Sequence, residues 1–161
     1  MTTLWRPASL LIALLLMPAR HALGQSEARP AHQQPPGRAG AGLQAGPFTG
    51  FSVKAYQREA GVGRVDAVAL SGTFNLKGSA MLQFVLVDEV PLRATPLSAY
   101  IGPGLVLGLD DSRSIGGLAA ATGLRFFRSR VEIYLELIPR LILVEDRRAE
   151  TTAAVGFRIY P

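Results

Sequence analysis

Between Arg130 and Leu143 the chain alternates residue by residue. Val131, Ile133, Leu135, Leu137, Pro139, Leu141 and Leu143 hold the odd positions, while Arg130, Glu132, Tyr134, Glu136 and Arg140 stand among the even ones. Successive side chains of a strand point to opposite faces, so this segment reads as a strand with one apolar face and one face bearing charges of both signs. At about 14 residues it is far longer than the ~5–6 of an ordinary soluble strand. A tilted barrel strand crosses a bilayer in roughly 9–11.

The same alternation recurs upstream and downstream. Phe51, Val53 and Ala55 oppose Ser52, Lys54 and Tyr56. Phe74, Leu76, Ala80, Leu82, Phe84 and Leu86 oppose Asn75, Lys77, Ser79 and Gln83. Ile101, Leu105, Leu107 and Leu109 oppose Tyr100, Gly102, Gly104 and Gly108. Ala153, Val155, Phe157 and Ile159 oppose Thr152, Gly156, Arg158 and Tyr160. Gly and polar clusters punctuate these runs at short intervals, which predicts strands at 39–45, 49–57, 64–71, 74–87, 96–109, 115–127, 130–144 and 151–160. Turns are predicted at Gly46-Pro47, Glu59 to Gly63, Ser71-Gly72, Asp88 to Thr95, Asp110 to Ser114, Arg128-Ser129 and Glu145 to Glu150. Eight antiparallel strands in sequence can close and leave no exposed edge. The fold class is therefore all-β, a closed eight-stranded antiparallel up-and-down barrel.

The N-terminal region has a different composition. Arg6 precedes an apolar run from Ser9 to Met17, too short for a spanning helix, and Ala22-Leu23-Gly24 supplies a small-x-small cleavage site. Residues 1–24 thus read as a signal peptide. Residues 25–38 hold Pro30, Pro35, Pro36, Gln33 and Gln34 without apolar periodicity, the composition of a disordered linker. Residues 39–161 form the barrel domain. The absence of cysteine removes disulfides, thiol chemistry and a lipidated N-terminal cysteine. Losing Arg6 and Arg20 with the leader lowers the formal charge from +5 to +3. That balance is mild and its basic residues are scattered, so no nucleic-acid partner is implied.

Alternation alone does not say which face is inside. A membrane barrel turns its apolar face to lipid, and a soluble one turns it inward. The polar face here is rich in small residues: Gly50, Ser52, Gly102, Gly104, Gly108, Gly123, Ala154 and Gly156. An eight-stranded barrel has an interior just wide enough for side chains, so small residues belong there. The charges of that face also balance closely. Lys54, Lys77, Arg125, Arg140 and Arg158 would meet Asp66, Glu132 and Glu136 in a lumen network, because buried charges must be paired. Glu136 is expected to find Arg140, Arg125 or Arg158. The alternative is a soluble periplasmic or secreted barrel of the lipocalin type, with the apolar stripes lining a pocket for an apolar ligand.

Several segments resemble those of small bacterial outer-membrane β-barrel proteins, the eight-stranded type exemplified by the transmembrane domain of outer membrane protein A. They are Gly42 to Lys54, Tyr100 to Gly104, Gly123 to Ser129, Glu132 to Glu136 and Gly156 to Tyr160. The resemblance implies an integral protein of the cell outer membrane, in contact with its lipid and inserted by the barrel assembly machinery. It implies no catalytic residues. One feature departs from the pattern: such barrels usually end in an aromatic residue, and here Pro161 follows Tyr160. The loops at the end away from the termini are all short, namely Gly46 to Phe48, Ser71 to Thr73, Asp110 to Ser114 and Glu145 to Glu150. Outer-membrane barrels carry longer ones on that side.

Catalytic and cofactor chemistry finds little support. The two histidines, His21 and His32, lie in the leader and the linker, so neither a Ser-His-acid site nor a histidine metal site can be built in the barrel. Glu132 and Glu136 stand about 13 Å apart along one strand at ~3.3 Å per residue. A glycosidase pair needs about 5–9.5 Å. Asp110-Asp111-Ser112 lacks the spacing of a calcium loop. Gly102-Pro103-Gly104 opens no helix that could meet a phosphate. Arg147-Arg148 reads as a solvated turn. No enzyme activity and no cofactor are expected, and the role is structural or interactive, with side chains plugging the lumen.

Overall fold

The computed structural model describes residues 37–57, 66–75, 78–92, 95–110, 113–144 and 147–161. The leader, nearly all of the linker and Lys77 lie outside the described residues. Arg38, assigned to the linker, accepts a hydrogen bond on its carbonyl from the Tyr56 backbone N–H at 2.7 Å.

Eight strands follow one another: β1 (Ala39–Ala45), β2 (Thr49–Tyr56), β3 (Ala67–Phe74), β4 (Ala80–Pro91), β5 (Leu97–Asp110), β6 (Arg113–Arg128), β7 (Val131–Ile142) and β8 (Arg148–Ile159). Each pairs antiparallel with its sequence neighbours, and β1 pairs with β8 to close the barrel. At the closing seam Leu43 faces Phe157 and Ala45 faces Val155. Strands β4 to β8 run 12 to 16 residues, enough to span a bilayer when tilted.

Two boundaries depart from the sequence reading. The β3–β4 turn is at Asn75 to Ser79, and Ser71-Gly72 lies within β3. Asn75 caps the turn by accepting from the Ser79 N–H on its Oδ1 at 3.0 Å, and Gly78 takes φ 88, where a residue with a Cβ is strained. Ser71 and Gly72 are small for another reason. Ser71 faces the crowded lumen, and Gly72 lies beneath the Phe51 ring, which would stand 2.3 Å from a Cβ there. Phe74 therefore ends β3 and does not begin β4. The turn expected from Asp88 is also shorter, because β4 continues to Pro91.

The two faces are sorted cleanly. Leu43, Phe74, Leu82, Leu105, Leu107, Leu135, Val155 and Ile159 are among many large apolar side chains exposed on the outer surface. Gln44, Ser52, Lys54, Gln83, Glu89, Arg125, Glu132, Glu136, Arg140 and Arg158 are buried within. This is the inverse of a water-soluble barrel.

Lumen glycines allow the wall to coil tightly. A Cβ at Gly42 would lie 1.7 Å from the Phe157 carbonyl oxygen, across the seam that closes the barrel. Backbone is in the way, so the seam itself must shift. Gly42→Ala is expected to lower stability by about 1–3 kcal/mol, the cost of overpacking a filled interior. Urea titration of the folded barrel in detergent measures this.

Candidate functional site

The lumen is unevenly filled, with Arg140, 5.7 Å from the Phe48 ring, carrying charge into an otherwise more apolar far end. Near the end away from the termini, Met81, Val106, Ile115, Ala119 and Ile142 form an apolar cluster, with Phe48 of the β1–β2 turn packed against it. Toward the termini lies a polar cluster drawn from every part of the wall.

Glu132 of β7 is the hub. Its Oε1 accepts from Arg158 Nη1 at 2.7 Å and lies 3.4 Å from Lys54 Nζ. Its Oε2 accepts from the Tyr160 hydroxyl. Arg158 is held on its other nitrogens by Ser52, with Nε and Nη2 donating to Oγ at 3.0 and 2.8 Å. The Arg158 guanidinium also stacks 3.9 Å above the Tyr134 ring, and the Tyr134 hydroxyl donates to Gln44 Oε1 at 3.1 Å. Glu132 of β7 and Arg158 of β8 are thus met by groups from more than one strand, β2 among them, which is what a buried charge needs.

Glu89 of β4 is the second anchor. Lys54 pairs with its Oε1, which also accepts from the Tyr56 hydroxyl at 2.8 Å. Arg125 Nη2 lies 2.7 Å from its Oε2. Lys54 therefore bridges Glu89 and Glu132 across the lumen. Asp66 borders the cluster through its Oδ2, which accepts from the Glu89 backbone N–H at 2.8 Å.

Of the residues expected in the network, Lys54, Arg125, Glu132 and Arg158 are brought together directly. Glu136 and Arg140 are lumenal but make other contacts. Glu136 Oε2 accepts from the Tyr100 hydroxyl at 2.7 Å, and no ion pair links it to the three expected arginines. Arg140 donates to Gln83 Oε1 at 3.3 Å and reaches Glu150 at 3.4 Å. The reason is geometric: contacts across a lumen depend on how the strands are staggered around the wall, and spacing along one strand does not report that. Glu136→Ala consequently strands a tyrosine hydroxyl and not a cation. It is expected to cost about 1–3 kcal/mol, the penalty for an unsatisfied buried polar group. Tyr100→Phe leaves the buried Glu136 carboxyl without its donor and should cost at least as much, and denaturant titration of both variants in one detergent tests the assignment.

Glu89 was missed, because Asp88-Glu89 reads as the start of a turn. Its parity with Met81, Gln83, Val85 and Val87 is the signal that identifies it as lumenal. The four tyrosines, Tyr56, Tyr100, Tyr134 and Tyr160, were also not foreseen as the hydroxyl donors of the cluster. Tyr160 is fully buried on the lumen side, so the aromatic residue next to the last position packs inward.

The remaining candidates are dispersed. Gly102-Pro103-Gly104 lies in the middle of β5. Arg148 reaches Glu150 at 3.6 Å in a partly exposed pair, and Arg147 is exposed. Asp111 and Ser112 lie outside the described residues. Among the described residues no three His, Cys, Asp or Glu side chains are grouped as metal ligands.

No family model and no curated relative matches the sequence. The fold is similar to the crystal structure of the N-terminal β-barrel domain of Pseudomonas aeruginosa OprF, at 14% identity and a TM-score of 0.56. The match covers 75% of this chain and 93% of that domain. The chain shares the eight-stranded barrel architecture of that domain.

Proposed function

We propose that this chain is a non-enzymatic integral protein of the bacterial outer membrane, delivered by a cleaved leader at residues 1–24 and tethered to a disordered linker at 25–38. The observation that carries the reading is the inverted sorting of the wall. Exposed Leu, Ile, Val and Phe side chains cover the outside, while Lys54, Arg125, Arg158, Glu89, Glu132 and Glu136 are buried inside. An apolar exterior of this extent is unfavourable in water and matched to hydrocarbon. Closure of the sheet satisfies the wall hydrogen bonds that lipid cannot. The likeness to the OprF domain supports the same reading.

The polar cluster and the apolar cap fill the lumen from opposite ends, so the barrel acts as a plugged cylinder that conducts solutes poorly. The expected lumen network is retained with Glu89 added as its second anchor. Its role is structural or interactive within the envelope. Insertion would require the assembly machinery that handles such barrels. The lipocalin alternative needs an apolar cavity, and the apolar residues that would line it are on the outside.

Cell fractionation tests the proposal. The protein is expected only in the detergent extract of the outer membrane, with gel mobility that changes on boiling. Recovery in the periplasmic wash without detergent overturns it.

A further inference from the structure

The outer surface is not uniform. On β3 and β4 two small residues, Gly72 and Ala80, interrupt the apolar band, and a furrow of about 540 Å³ opens there. Phe51, Phe74, Leu82, Leu107 and Leu109 form its walls. The strand register explains the shape. Phe51, Gly72, Leu82 and Leu107 lie in one row across β2 to β5, and Phe74, Ala80 and Leu109 lie in the next. Ala80 leaves a slot between Phe74 and Leu109, whereas the Phe51 ring covers Gly72 and forms one wall. Phe74 and Leu107 are the most exposed of these, at 60% and 64%.

We infer that this furrow is a binding site for one acyl chain of a membrane lipid, held in place longer than the lipid around the rest of the wall. The inference rests on the membrane reading above. The slot continues the outward apolar band, so hydrocarbon is what it meets in a bilayer. Its volume falls in the ~300–1,000 Å³ range of small-ligand sites. Ten residues line it, fewer than the roughly 20–30 a side of a stable protein interface, so the furrow by itself is not one. Loss of van der Waals partners along an empty slot favours a flexible chain that can follow it.

The experiment reconstitutes the full-length mature protein in vesicles of phosphatidylethanolamine and phosphatidylglycerol doped with a photoactivatable palmitoyl phospholipid. Cross-links are mapped by mass spectrometry. Enrichment on peptides carrying Phe74, Leu82 and Leu107 over those carrying Leu135 and Val155 is expected, about tenfold, as for a site of modest extra affinity. Ala80→Phe fills the floor of the slot and should remove the enrichment. Ala153→Phe, also outward but on β8, should leave it. Cross-links spread evenly around the wall overturn the inference while leaving the membrane reading intact. Enrichment that survives Ala80→Phe overturns it too. Cross-links concentrated between two copies of the chain assign the slot to self-association and also overturn it. Protein that never enters the vesicles counts against the membrane reading itself, and the inference falls with it.

Discussion

Glu132→Ala is expected to destabilise the barrel by about 3–5 kcal/mol, the cost of leaving a buried charge uncompensated. Glu132 is fully buried and receives Arg158, Lys54 and the Tyr160 hydroxyl. Removing it leaves Arg158 with only the neutral Ser52 and the Tyr134 face as partners, and leaves Lys54 dependent on Glu89. The controls separate charge from packing. Tyr160→Phe deletes the hydroxyl's hydrogen bond to the Glu132 carboxylate and should cost about 1.5–3 kcal/mol, less than removing the carboxylate itself. Glu132→Ala combined with Arg158→Ala should cost less than the two single changes together, because neither charge is then stranded. Urea titration in a single detergent, read by the change in gel mobility, gives all three values. A Glu132→Ala variant within about 0.5 kcal/mol of the parent would remove the network from any account of what holds the lumen.

The period of two carried most of the fold. Alternation in Arg130 to Leu143 and its echoes locate the strands and their parity, because a strand has no other way to present an apolar face. The small residues of the polar face then distinguish the inside from the outside. Gly102, Gly104, Gly108 and Gly123 all lie where a Cβ would meet backbone or side chain closer than 3.0 Å. The same feature misled at Ser71-Gly72. A turn and a crowded wall both select small residues, so composition does not separate them, and the decisive Asn75 and Gly78 were read as strand. Site residues were legible as a class but not as pairs. Lys54 shares the parity of the polar face, yet its partners Glu89 and Glu132 come from β4 and β7, neither adjacent to β2. Contacts across the lumen follow the closure and stagger of the whole wall, which no single strand encodes.

Leu135→Arg is the change that separates lipid from water on the outer face. Leu135 is 55% exposed and sits midway along β7, between Leu124 of β6 and Val155 of β8 in register. If hydrocarbon covers it, an arginine there costs roughly 2–4 kcal/mol, falling to about 0–1 near the interface. Val131, on the same face at the start of β7, supplies the shallow control. If water covers the outside, both substitutions are ordinary surface changes within about 0.5 kcal/mol. An apolar stripe turned inward would have made Leu135→Arg damaging in water as well, by burying a charge without a partner. The outward position of Leu135 removes that ambiguity. The expected result is a depth gradient, with Leu135→Arg clearly worse than Val131→Arg when the barrel is unfolded from bilayers. Equal, near-neutral effects would mean that lipid does not cover this wall.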